Sequence, residues 1–226
     1  MKLHPAAAYE FRQRLLTSPG EQKDAEYKRS VPFDGRSSFS LKIVRQIFGM
    51  ANGGGGHIVI GFAEGPKGLL TPDPDHTDAR AGTYETTNLS KRANSCVEKG
   101  QQVSLAVHQE VHPLTGNRHP IITVEPFTRT PIVCRSTVAD PETNAAALEE
   151  GAVYLRRDGA ETSKAVRASD WDELITRAMA NRREEFLGEF RSLIDMLLRP
   201  ANASAPAPPS LDDFMAEARA RARGAQ

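Results

Sequence analysis

Apolar and polar residues change period several times along the chain, and each change marks an element. Residues 5–16 put Tyr9, Leu15 and Leu16 on one side of a helix, with Pro5 suited to its first turn and Ser18-Pro19-Gly20 as its stop. Residues 24–31 alternate, with Ala25, Tyr27 and Val31 set against Glu26, Lys28 and Ser30, which predicts a strand; Pro32 to Gly35 turns the chain. Helical spacing returns at Leu41, Val44, Ile47, Phe48 and Ala51. Ser38 or Ser40 can cap that helix, Lys42 and Arg45 lie off its stripe, and Asn52 with Gly53 to Gly56 ends it. His57 to Phe62 reads as a buried strand.

A Pro- and Asp-rich loop covers residues 65–78, and a short helix covers 86–98 through Leu89, Ala93, Cys96 and Val97. Strands follow at 103–107 and 121–124, joined by a polar turn at Thr115-Gly116-Asn117. Residues 131–135 are a short extended piece, and a strand over 152–157 closes at Asp158-Gly159. Ser169 is placed to cap a long helix reaching about residue 199, with Asp170, Asp172 and Glu173 at its positive end. It carries one apolar stripe at Trp171, Leu174, Ile175 and Ala178 and a second at Phe186, Phe190, Leu193, Ile194 and Leu197. Residues 200–210 form a flexible Pro/Ala-rich linker. Residues 211–226 form a tail helix with Leu211, Phe214, Met215 and Ala218 on one side, able to dock on a protein partner. The class is therefore α+β: a single lobe over 1–199 (motif core 20–168, long helix 169–199), a mixed β-sheet with flanking helices, then linker and tail.

Composition narrows the functions. Hydrophobic residues make up 39% of the chain, enough for a sizeable core, and 29 basic residues balance 29 acidic ones, so bulk charge does not coat a polyanion; a local basic face must do it. Cys96 and Cys134 form no CxxC pair and read as small buried hydrophobes in a reducing compartment. Lys2, Glu10, Arg12 and Arg14 break any apolar leader in the first sixteen residues, and no run approaches the roughly 18 apolar residues of a membrane span, so a cytoplasmic protein is expected. No G-x4-G-K-[ST] segment occurs, and no lysine follows Gly53 to Gly56, so the chain is not a Walker-type ATPase; the four glycines read as a tight helix-to-strand turn.

Four segments carry a family resemblance: Glu21-x4-Glu26-Tyr27-Lys28; Ala51-Asn52 with Gly53 to Gly56 and then Ile58-Val59-Ile60-Gly61; Ile122-Thr123-Val124; and Tyr154-Leu155-Arg156. In this order they resemble the Schlafen-like AlbA superfamily over about residues 20–168. The resemblance implies a metal-dependent endoribonuclease acting on structured, tRNA-like RNA, as a toxin or defence effector. Three acidic side chains would hold Mg²⁺ or Mn²⁺ and serve catalysis: Glu21 and Glu26 from the first segment, and Glu64 after the second strand. At the third position this chain departs from the family, since Ala63 stands where an aspartate is common. Vertebrate relatives look like two lobes joined in a horseshoe, so a one-lobe chain is expected to form a homodimer.

Chemistry gives the same residues a meaning of their own. Converging carboxylates repel unless a cation neutralises them, and a bound metal stabilises charge building on a phosphate. Lys28 shares a strand face with Glu26 and can reach phosphate. Among Lys28, Arg29, Lys42, Arg45, Arg156 and Arg157, the nucleic-acid contacts expected are Lys28, Lys42, Arg45 and Arg156, with Arg157 on the opposite strand face. Equally, these charges can simply solvate an exposed sheet. His57 and His108 have no paired-ligand spacing, so no zinc site is expected. The competing functions are a non-catalytic DNA- or RNA-binding regulatory module and a scaffold subunit that recruits a partner.

Overall fold

The computed structural model describes residues 5–157 and 161–198. The linker and tail expected at 200–226 lie outside the described residues. By compactness the chain divides into two units, Met1–Arg183 and Glu184–Gln226. In the second unit the described residues continue a helix, with the rings of Phe186 and Phe190 stacked 6.4 Å apart and both exposed.

The first unit is an α+β lobe. Helix α1 spans Pro5–Thr17, strand β1 Ala25–Lys28, helix α2 Ser38–Gly53, and strand β2 Gly56–Ile60. Then come β3 at Phe62–Glu64, β4 at Leu70–Pro72, α3 at Asp78–Ala81 and α4 at Thr86–Ser95. The hairpin strands β5 (Leu105–Val111) and β6 (Arg118–Val124) follow, then β7 (Val138–Ala139), β8 (Ala146–Leu148), β9 (Tyr154–Arg156), β10 (Thr162–Lys164) and α5 (Ala168–Leu198). The main sheet is mixed, in the order β1-β2-β6-β5. β1 runs parallel to β2, a pairing that needs a crossover, and α2 supplies it.

Strand alternation divides the apolar residues between two cores. Ile58, Ile60, Ile122 and Val124 pack with Ile43, Ile47 and Phe48 of α2 on one face of the sheet, while Val59, Ile121, Tyr27 and Phe62 pack with Leu16 of α1 on the other. Helix α2 is buried on more sides than its stripe predicts, with Ile43, Gln46 and Met50 also covered. The β9–β10 hairpin lies against its second side, so close that a Cβ on Gly49 would come within 2.5 Å of the Thr162 methyl. The cap of α2 is Ser37, not Ser38 or Ser40. Ser37 Oγ accepts the Ser40 N–H, Asp34 accepts the N–H groups of Arg36 and Ser37, and Ser38 is drawn away to donate to Asp140 at 2.7 Å. At α5 the cap also shifts. Ser169 lies inside the helix, while Asp170 Oδ2 accepts the backbone N–H of Arg167 three residues earlier, half of a capping box.

The glycine run is the tight turn that the sequence predicts. Gly54 ends α2 in the left-handed region at φ 108°, and at Gly56 a Cβ would come within 2.8 Å of the Asp24 carbonyl. Asn52 just before it is fully buried. Its Nδ2 donates to the carbonyls of Ile132 and Tyr154, and its Oδ1 accepts the Ile132 N–H at 2.7 Å, so one side chain ties α2 to two distant segments.

Candidate functional site

A cleft of about 730 Å³ opens between β1 and the β3–β4 hairpin. Its lining includes Glu21, Lys28, Arg29, Phe39, Glu64 and Leu69, drawn from segments up to about fifty residues apart. Parallel β1 is held against β2 from Ala25↔His57 to Lys28↔Ile60, which sets Lys28 and the following Arg29 at the rim. Phe62 and Leu70 add to an apolar wall beside them.

Glu26 is not an open ligand. It is 3% exposed and forms ion pairs with both Lys28 and Arg156, one cation to each carboxylate oxygen. Arg156 is buried completely, a correction to its expected role in phosphate contact. Its guanidinium donates to Gln46 Oε1, to the carbonyls of Gln22 and Ala25 at 3.2 Å, and to that of Lys23 at 3.4 Å. The Tyr-x-Arg segment thus anchors the start of β1 from within. Neighbouring Arg157 does lie on the other side, donating to Asp170 at 2.8 Å and Ser163 at 2.7 Å.

Glu21 sits exposed at the cleft rim before β1, and Glu64 is exposed at the end of β3. Partial burial raises the Glu21 carboxyl above its ordinary range and the negative charge of Glu26 adds to it, while Lys28 and Arg156 pull the other way. So the structure brings Glu21, Glu26 and Lys28 into electrostatic contact and puts Glu64 on the same cleft. It does not gather the three carboxylates: among the described residues no group of three His, Cys, Asp or Glu side chains is placed to hold a metal ion. Both Glu26 oxygens already face cations, so Glu26 does not offer a free donor to a divalent ion.

Lys42 and Arg45 are absent from the cleft lining. Lys42 is exposed on α2 beside Asp140, whose carboxyl is held below its usual range first by the Ser38 hydroxyl and last by Lys42. Arg45 is half-buried on the same helix. His57 hydrogen-bonds Thr123 and leans on Phe11 at 5.1 Å, and burial lowers its pKa, as it does for His108. Neither histidine lines the cleft. Sequence reasoning marked Asn52 only as a helix end and part of a motif, and did not mark Phe39. It also missed three buried histidines, His76, His112 and His119, which carry no common spacing because they meet only in space.

No helix among the described residues is long and apolar enough to cross a membrane. Comparison with known proteins gives a match to the family model described as Schlafen, AlbA_2 over residues 21–165. No curated protein matches the chain. Among solved structures the chain is similar to the N-terminal domain of a putative ATP-dependent DNA helicase RecG-related protein from Nitrosomonas europaea, determined by solution NMR. The two are 18% identical, the match covers 73% of this chain and 95% of that one, and the TM-score is 0.39.

Proposed function

The chain belongs to the Schlafen, AlbA_2 family, and on that premise we propose that it is a nucleic-acid-binding module that takes a single-stranded backbone into the β1–β3 cleft. The observation that supports this reading most is Arg29. Its side chain is 67% exposed at the cleft rim, its nearest acid is Asp73 at 3.7 Å, and Lys28 stands beside it. Two adjacent cations suit phosphates, and the exposed Leu69 with the partly buried Phe39 gives bases an apolar surface beside them.

The test is the salt dependence of binding to a labelled single-stranded RNA and to the DNA of the same sequence. Arg29→Gln should weaken binding by a few-fold and lower the slope of log affinity against log salt by about 0.7, the loss of one single-strand phosphate contact. An unchanged slope removes Arg29 from the interface, and no binding by the parent protein at low salt removes the reading.

One observation favours a second reading, the endoribonuclease: Glu21 and Glu64 line the same cleft as Lys28. Labelled tRNA incubated with Mn²⁺, Mg²⁺ or EDTA distinguishes the two. Cutting that needs metal and is lost in Glu21→Gln would replace the binding module with an enzyme. Binding without cutting keeps the first reading.

A further inference from the structure

Three histidines from three places in the chain meet under the α1 face of the sheet. His76 comes from the loop after β4, His112 from the β5–β6 turn, and His119 from β6 itself. All are buried, at 5%, 3% and 0% exposure. The rings of His76 and His119 stack at 4.1 Å, His112 lies 5.5 Å from His119, and Phe62 closes the group at 5.1 Å from His119.

Their hydrogen bonds define what each ring nitrogen faces. His119 Nδ1 can only donate to the Ile60 carbonyl at 2.9 Å, which leaves Nε2 bare, buried and without a hydrogen-bond partner. His76 Nε2 donates to the Arg118 carbonyl at 2.7 Å, and in the neutral ring its Nδ1 accepts from the Ser30 hydroxyl, also at 2.7 Å. His112 Nδ1 accepts the backbone N–H groups of Leu114 and Thr115. A proton on any ring therefore meets a fixed obstacle. At His119 it is a donor with no acceptor, at His76 a reversed Ser30 bond, and at His112 a collision with two N–H groups.

Charges around the cluster offer little relief. Asp73 accepts the Ser30 and Asp75 N–H groups and faces Arg29, while Asp78 is taken by Arg118. Glu110 on β5 is held by Arg12 and Gln13 of α1. Gly61 at the β2–β3 junction leaves no slack: at φ 97°, a Cβ there would come within 2.6 Å of Nδ1 of both His76 and His119.

We infer that this cluster is a pH-sensitive latch that holds one wall of the cleft in place. His76 ties the loop carrying Pro74 to Ser30 and to β6, and Ser30 adjoins Arg29; Phe62, Pro74 and Arg29 all line the cleft. A proton on His119 Nε2 has no acceptor and lies against the stacked His76 ring, so segment 61–78 loosens while the β2–β6–β5 ladder stays formed. Burial and the neighbouring histidines push His119 down to about 4, so the neutral, latched form is complete above its ordinary 6.5 and gives way as pH falls below it. The latch rests on the fold and does not depend on what the cleft binds.

Hydrogen exchange by mass spectrometry on the full chain at pH 7.5 and 5.0, corrected for the intrinsic pH dependence of exchange, tests it. Protection in peptides covering 61–78 should fall at least tenfold at pH 5.0, with peptides from β5 and β6 changed less than twofold. In His119→Phe, which keeps the ring and removes the charge, the acid loss in 61–78 should shrink by at least half. Unchanged protection in the parent protein overturns the latch. So does a uniform loss across the chain, or an equal loss in His119→Phe. Should that variant not fold, imidazole ¹⁵N titration of the parent protein decides the matter. Cluster rings that titrate together with the loosening support the latch, and rings that titrate without it overturn it.

Discussion

Two buried polar clusters lie on opposite faces of one sheet, and they solve the cost of burial in opposite ways. On the α2 face, Glu26 and Arg156 keep their charges, each facing the other, with Gln46 and three backbone carbonyls absorbing the remaining guanidinium donors. On the α1 face, burial and the neighbouring histidines hold His119 towards its neutral form, with its Nδ1 bonded to the Ile60 carbonyl. A carboxylate and a guanidinium cannot both be discharged near neutral pH, so their burial requires a fixed partner. An imidazole can be discharged there, so its burial requires only the right tautomer, and the site inherits a dependence on pH. One cluster is therefore a pin and the other a latch.

Removing one member of the pin should have the largest effect. Arg156→Met leaves Glu26 buried with only Lys28 for company and should destabilise the fold by about 3–5 kcal/mol, read from urea unfolding. Glu26→Leu added to Arg156→Met should recover most of that loss, as it should not if Arg156 acts only through its carbonyl bonds.

Next in size is Gly61→Ala on the other face. It combines a left-handed backbone with a Cβ driven into two imidazoles, and about 2–4 kcal/mol of destabilisation is expected in the same assay. A third measurement separates the clusters by pH. His119 has a folded pKa below its ordinary value, so its neutral state contributes stability that is whole above about 6.5 and declines as pH falls towards 4. Urea midpoints at pH 7.5, 6 and 5 should fall along that series, and His119→Phe should flatten the decline. Burial lowers His57 and His108 too, so the slope should shrink without vanishing. The smallest effect belongs to the cleft rim. Glu21→Gln relieves repulsion with Glu26 and should raise stability by a few tenths of a kcal/mol and tighten single-stranded RNA binding about twofold, checked by melting and by titration.

Much of the lobe was legible in the chain. Alternation over 24–31, the helical stripe from Leu41 to Ala51 and the apolar run after the glycines announce β1, α2 and β2, because long periodic segments bury a face whatever surrounds them. The glycine run announces its own turn, and Glu26-x-Lys28 announces a shared strand face. Strands β3, β4, β7, β8 and β10 and helix α3 did not show, since two to four residues carry no period. Local spacing also could not say that Arg156 points inward. That follows from the β9–β10 hairpin pressing on α2, a contact between segments about a hundred residues apart.

The sequence by itself determined the family, the α+β class and the residues with chemistry to offer, since each is written in short-range pattern. Only the tertiary structure decided what those residues do. It closed Arg156 and Lys28 over Glu26, left Arg29 at the rim and brought three unrelated histidines into one buried cluster. Whether a side chain is charged, spent or free depends on which neighbours share its burial, and those neighbours come from remote parts of the chain.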